Sequence, residues 1–229
     1  MSISKLTNYT HFTNNCGNVV NGKLVPARNH KIDTITIHSV VGQASVEGLG
    51  VTFSGSREVS ANYGIGADGR IGAYVDENNR SWCSSSPEND NRAITIEVAT
   101  DTTEPYAVNA AAYDSLITLL VDICQRHNIP KLIWKNDKSL IGQVDKQNMT
   151  VHKWFAATTC PNTYILSKLP EICDKVNARL QSAAQPVESE KKTFYRVQVG
   201  SFSKRENAEA LSAELAAKGY TTVIMKVEI

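Results

Sequence analysis

The sequence predicts an α/β domain, with a central mixed β-sheet flanked by helices, followed by a small C-terminal β-α-β module. Three observations predict it. Thr34-Ile-Thr-Ile-His38 and Ala93-Ile-Thr-Ile-Glu97-Val98 both alternate apolar and polar residues at the period of a strand. Helical patterns are interspersed with these strands along the chain. Near the C-terminal end, a polar stretch from Gln181 to Thr193 has little to bury and reads as a linker.

The elements follow in order. In the first strand Ile35 and Ile37 share one face, and Thr34, Thr36 and His38 take the other. A short helix is expected over Val46 to Phe53. Asn62-Tyr-Gly-Ile-Gly reads as a strand that turns at Asp68-Gly69 into Arg70-Ile-Gly-Ala-Tyr-Val75, because Asp-Gly is a strong hairpin signal. In the strand that begins at Ala93, Ile94, Ile96 and Val98 share a face, and Ala93, Thr95 and Glu97 face away. If both strands pack their isoleucines in one layer, His38 and Glu97 project from the same side. Asn109 to His127 carries Ala112, Leu116, Leu119, Leu120 and Ile123 at helical spacing, with Pro130 beyond its end. Lys131 to Met149 is polar and irregular and reads as a loop, of a length that often serves function. A last helix runs from Cys160-Pro161 to about Leu180, with a break expected near Pro170.

This gives a domain over residues 1–180, a linker over 181–193 and a module over 194–229. In the module, Phe194 to Val199 alternates as a strand and Ser203-Lys-Arg-Glu206 is a capping box. Ala208, Leu211 and Leu215 form a helical stripe, Gly219 is a stop, and Thr221 to Val227 is the next strand.

The bulk numbers exclude several classes. The net charge of +1 over 229 residues gives no reason to expect nucleic acid as a partner. No apolar run approaches the roughly 20 residues of a spanning helix, so no membrane insertion is expected. Met1-Ser-Ile-Ser-Lys-Leu-Thr-Asn8 lacks the apolar core of a signal peptide. Synthesis in a reducing cytosol is expected, with something else releasing the chain if it acts outside the membrane. Five cysteines with no CxxC pair argue against a disulfide framework. Cys124 and Cys173 sit in helical patterns as core fillers.

The chemistry concentrates in Thr150-Val-His152-Lys-Trp-Phe-Ala-Ala-Thr-Thr-Cys160-Pro161. Imidazole and thiolate are the preferred side-chain donors for zinc. With His38 at a strand end, His152 and Cys160 make three protein ligands, and a catalytic zinc keeps a fourth position for water. A carboxylate such as Glu97 beside that water has a task as base. Other readings stand beside this one. Cys160 and His152 serve as thiol nucleophile and base, or as buried structural residues. Glu97 serves as an ion-pair partner, and Thr158 as a cap of the turn before Pro161. Asn62, Trp82 and Trp154 are core residues by default and groove-lining substrate contacts if they stand beside the site.

Taken in order, Thr36-Ile-His38, Ser60-Ala-Asn-Tyr-Gly-Ile-Gly-Ala-Asp-Gly-Arg70, Arg80-Ser-Trp82, Ala93-Ile-Thr-Ile-Glu97 and His152…Thr158-Thr-Cys160-Pro161 resemble the zinc-dependent N-acetylmuramoyl-L-alanine amidases of the amidase-2 group, over about residues 29–180. The resemblance implies a fold shared with peptidoglycan recognition proteins, and zinc held by His38, His152 and Cys160. It also implies a catalytic Glu97 and bacterial peptidoglycan as substrate. Two positions depart from the pattern: Thr158 stands where many members have lysine, and Ala61 where others have a catalytic tyrosine. Thr158 then replaces lysine near the oxyanion. Tyr195-Arg-Val-Gln-Val-Gly-Ser-Phe202 and Asn207-Ala-Glu-Ala-Leu211 resemble a SPOR domain, which binds peptidoglycan. Only one of that domain's two halves is seen, so a homodimer through the C-terminal module is expected. The layout resembles a phage or prophage endolysin. The rivals are a non-catalytic peptidoglycan-binding module, which Cys160 disfavours, and a zinc peptidase acting on stem-peptide bonds.

Overall fold

The computed structural model describes residues 2–184 and 197–227. The chain divides into two compact units, Met1–Pro186 and Val187–Ile229. In the first unit the strands are β1 (Tyr9–Thr10), β2 (Asn18–Val20), β3 (Lys23–Val25), β4 (Thr34–Val41), β5 (Tyr63–Ile65), β6 (Ile71–Ala73), β7 (Ala93–Thr100) and β8 (Met149–Thr150). Its helices are α1 (Val46–Ser54), α2 (Pro87–Arg92), α3 (Ala110–Arg126) and α4 (Thr163–Ala184). The second unit contributes α5 (Arg205–Ala217).

Six strands form one mixed sheet in the order β1-β6-β5-β7-β4-β8, and β2 and β3 form a separate hairpin. Within the sheet only β5 and β6 pair antiparallel. Crossover helices reach both faces, which is why the central strands are buried nearly throughout. On one face Ile35, Ile37, Ile94, Ile96 and Val98 are fully buried. They pack with Leu116, Leu119, Leu120 and Ile123 of α3 and with Ile165, Leu169, Ile172 and Val176 of α4. Burying each such side chain contributes about 1.5–3 kcal/mol. On the other face α1 closes a smaller cluster of Leu49, Phe53, Ala61 and Tyr74. Gly64 of β5 makes that closeness possible: a Cβ there would stand 2.6 Å from Leu49 Cδ1.

The expected helices and the hairpin at Asp68-Gly69 are present, and Asn109 caps α3 by accepting from Ala112 N–H. Two expectations need correction. α4 runs unbroken through Pro170. Pro170 sits on the exposed side, where the unpaired carbonyl meets water, while Leu169 and Ile172 on the opposite side hold the helix to the core. In the second unit the capping box does not form: Lys204 is the N-cap and makes no side-chain cap bond. Within the described residues, 197–199 and 221–227 carry no strand assignment. Residues 194–196 and most of the expected linker lie outside the described residues; its first four, 181–184, are the end of α4. Gly219 does stop α5, in the left-handed region at φ 86°.

Glu77 is a buried hub that ties three segments together. Its side chain is fully buried and accepts from Tyr63 Oη at 2.6 Å, from both terminal nitrogens of Arg126, and lies 2.9 Å from His127 Nε2. Ser4 N–H in turn donates to Tyr63 Oη at 2.7 Å, fastening the N-terminal segment. His127 is therefore a hydrogen-bond partner of Glu77 as well as a helix-end residue. Burial alone raises the Glu77 pKa, but the hydrogen bonds from His127, Arg126 and Tyr63 outweigh it and bring the carboxyl from 4.5 down to about 2. A folded value below the unfolded one stabilises at pH above about 4.5, and that stability drains away as pH falls toward 2. The shift corresponds to an order of 3 kcal/mol. All three tryptophans lie in the first unit, so urea unfolding followed by their fluorescence reports on it. Glu77→Gln is expected to lose about 3 kcal/mol or more at pH 7, with the gap to the parent narrowing at pH 3. A gap independent of pH would contradict this account.

Candidate metal centre

The parallel register of β4 and β7 sets His38 directly opposite Glu97. Both project from the face opposite the isoleucine layer, as the alternation predicted. His38 is fully buried. Its Nδ1 lies 3.4 Å from Cys160 Sγ, and its ring centroid lies 5.1 Å from that of His152. One ligand atom each from His38, His152 and Cys160 fall within 4.8 Å of one another. Donors around one tetrahedral divalent ion stand about 3.5 Å apart, so the set fits a cation.

Each donor is held by its own local structure. His152 opens a single 3-10 turn, His152–Trp154, directly after β8, and β8 pairs with β4. Cys160 closes the same loop: Lys153 N–H donates to its carbonyl at 2.9 Å, and its own N–H donates to Thr158 Oγ1 at 3.2 Å. Ser39, next to His38, donates its N–H to Cys160 Sγ at 3.5 Å, and its hydroxyl accepts from Asn162 N–H at 3.0 Å. A buried polar layer supports β4 and β8 from below. Thr36 and Thr150 share a hydroxyl hydrogen bond at 2.7 Å, and Asn89 of α2 bonds both.

The protonation states follow from burial. It lowers the His38 pKa to about 3, with the nearby His152 adding to the effect, so its ring is neutral and free to donate a lone pair. Burial also lowers His152, against the opposing pull of Asp90. Cys160 is pushed up to about 12, by burial first and Glu97 second. Without a cation it is a thiol, which argues against a Cys160–His152 nucleophile pair. Burial pushes Glu97 up to about 7, against a weak hydrogen bond from Cys83. Two buried atoms here have no hydrogen-bond partner: His38 Nε2 and Glu97 Oε2. Such unmet atoms are uncommon in folded proteins and mark a place for a further ligand or ion.

The other expected contacts are placed less centrally. Thr158 lies in the loop with its oxygen engaged by Cys160 N–H, which leaves its hydroxyl proton free to donate. Trp154, two residues past His152, stacks on Trp134 with centroids 5.2 Å apart and stays partly exposed. Trp82 donates Nε1–H to Gly17 carbonyl at 2.8 Å. Asn62 is fully buried and its amide is spent inside the fold, on Thr95 N–H, Arg28 and the Val75 carbonyl. It does not join the donors.

Sequence reasoning missed the loop Cys83-Ser84-Ser85. Ser85, at φ 62°, brings its Oγ to 3.3 Å from His152 Nε2. Cys83 Sγ stands 3.9 Å from Glu97 Oε1. Fully buried Asp90 holds this loop by accepting from Cys83 N–H, Ser84 N–H and Ser84 Oγ. The Ser-Pro start of α2 was the available signal, since Ser86 caps it with Pro87 in the first turn.

Comparison with known proteins agrees with this geometry. The family model described as N-acetylmuramoyl-L-alanine amidase matches residues 28–163, and a SPOR-domain model matches residues 191–229. No curated protein sequence matches the chain. Among solved structures, a selenomethionine derivative of AmpD is similar at a TM-score of 0.52 and 16% identity, covering 74% of this chain and 96% of its own. A mutant of PlyL is similar at 0.50 and 13% identity, covering 74% and 98%. The N-acetylmuramoyl-L-alanine amidase LysC from Clostridium intestinale URNW is similar at 0.49 and 21%, covering 75% and 99%. At these identities the likeness to the AmpD and PlyL structures speaks to the fold alone. The family match spans more than half of the chain and contains every donor gathered beside β4, so this chain belongs to the N-acetylmuramoyl-L-alanine amidases, enzymes that hydrolyse an amide of peptidoglycan.

Proposed function

We propose that the chain cleaves the amide between the lactyl group of N-acetylmuramic acid and L-alanine, with zinc held by His38, His152 and Cys160 and with Glu97 as base. The observation that carries this reading is the convergence of two imidazoles and one sulfur, from β4 and the 152–160 loop, beside the unpartnered carboxylate oxygen of Glu97. Bound there, zinc supplies a Lewis acid and lowers the pKa of a water from 15.7 to about 7.

The chain's own residues do the rest. Glu97 Oε2 takes the proton of the attacking water and returns it to the departing L-alanine nitrogen. Its raised pKa suits a group that must both accept and release a proton near neutrality. The Thr158 hydroxyl donates to the developing oxyanion, as its oxygen's other bond fixes it at the rim of the loop. Trp154 offers an aromatic wall beside His152. Trp82 and Asn62 act through the fold, by anchoring the strands and loops under the site.

The modular layout suits a phage or prophage endolysin that reaches the wall after another protein opens the membrane. Among the described residues no helix is long and apolar enough to cross a membrane. The C-terminal unit leaves Val197, Val199, Phe202, Tyr220, Val223 and Val227 exposed, and no residue of α5 is buried. Surface of this kind asks for cover. The reading is that two chains pair through it and that the paired module holds glycan.

Digested peptidoglycan analysed by mass spectrometry is expected to release stem peptides beginning with L-alanine, to stop doing so with a chelator and to resume with zinc. Cuts within the stem peptide would overturn the reading. Glu97→Gln in the same assay is expected to lose about 10²–10⁴-fold in rate while retaining its metal; full activity would remove Glu97 from its role. Light scattering at micromolar concentration is expected to give twice the chain mass, and a monomer would contradict the pairing.

A further inference from the structure

His38 belongs to two sets of donors. Besides the set with His152 and Cys160, it forms one with Cys83 and Glu97, whose ligand atoms also lie within 4.8 Å of one another. The ring's Nδ1 faces Cys160, while the buried Nε2 has no partner. Glu97 is similar: Oε1 lies 3.9 Å from Cys83 Sγ, and the buried Oε2 has no partner. Leaving such buried atoms unmet carries a desolvation penalty, so a ligand that meets both is favoured.

We propose that His38, Cys83 and Glu97 form an alternative seat for a thiophilic divalent cation, zinc or cadmium, which a cation occupies in place of the first seat and which takes Glu97 out of catalysis. The chemistry is a nitrogen, a sulfur and a carboxylate, a set that selects zinc or cadmium over magnesium or calcium. All three donors stand on fixed backbone. His38 and Glu97 are register partners in the middle of the sheet. Cys83 is fastened by its N–H to Asp90 Oδ2 at 3.0 Å, and the preceding Trp82 is bonded in both directions to Ser60. Cys83 is partly buried, with its thiol turned inward toward Glu97. It gives up its thiol proton to solvent on binding.

The seats exclude one another because they share one ring. A neutral imidazole carries a proton on one nitrogen and a lone pair on the other, so His38 serves one cation at a time. A cation in the second seat leaves His152 and Cys160 unliganded and Glu97 coordinated. That loss of activity rests on Glu97 being the base; the binding itself does not, and the test below reads binding alone.

His152→Ala disables the first seat and spares the second. Titrated with Cd²⁺, this full-length variant is expected to bind one equivalent with the near-ultraviolet absorption of a cadmium thiolate. Adding Cys83→Ser is expected to weaken that binding about tenfold or more, while adding Cys160→Ser leaves it. Loss with Cys160→Ser and survival with Cys83→Ser would overturn the proposal, as would no thiolate absorption in a variant whose thermal melt shows it folded. The parent chain gives a second reading if a variant does not fold. One equivalent of Cd²⁺ is expected to protect Cys83 from iodoacetamide, as mapped by peptide mass, in a measurable fraction of molecules. Protection confined to Cys160 would overturn the proposal.

Discussion

Eight consecutive residue pairs, from Thr34↔Ala93 to Val41↔Thr100, lock β4 to β7 in parallel. The rest of the structure depends on this register. A slip of one residue between them would turn one strand's isoleucines out of the core and put His38 and Glu97 on opposite faces. The hydrophobic layer on one face thus specifies the chemistry on the other. The apolar side needs Ile35, Ile37, Ile94 and Ile96 inward, which puts His38 and Glu97 on one face, and the register sets imidazole beside carboxylate.

Around this pair the fold spends its polar residues on holding loops rather than on lining a cavity. Asp90 grips the 83–85 loop and Asn89 clamps the threonines of β4 and β8. Ser39 links the strand that carries His38 to the sulfur of Cys160. Two surface hollows flank α2, and neither is lined by His38, His152, Cys160 or Glu97. The reactive groups therefore have their positions from backbone register and short-range hydrogen bonds. Nearly every buried polar atom in this frame is matched. The unmatched pair, His38 Nε2 and Glu97 Oε2, stands where an added ligand or ion has most to gain.

Much of this was legible in the sequence because it is encoded in parity and spacing. Ile-Thr-Ile-His and Ile-Thr-Ile-Glu carry the same alternation, so the side shared by His38 and Glu97 could be read without coordinates. The helix at 110–126 was legible for the same reason, through its period and the proline beyond its end. Cys83 and Ser85 were not. Their approach depends on a left-handed Ser85 and on a carboxylate seven residues after Cys83, and neither leaves a periodic trace. Pro170 misled because its local effect on α4 was weighed without the apolar side that overrides it. Asn62 looked like a site residue through its place in the family motif, and it proved to be a buried brace.

The central claim is that His38, His152 and Cys160 share one metal ion. Zinc-edge X-ray absorption of the purified full-length chain tests it most directly. The account predicts a four-coordinate ion with two imidazole nitrogens, one sulfur at about 2.3 Å and one light oxygen ligand. A shell without sulfur, or folded protein that holds no zinc, would contradict it.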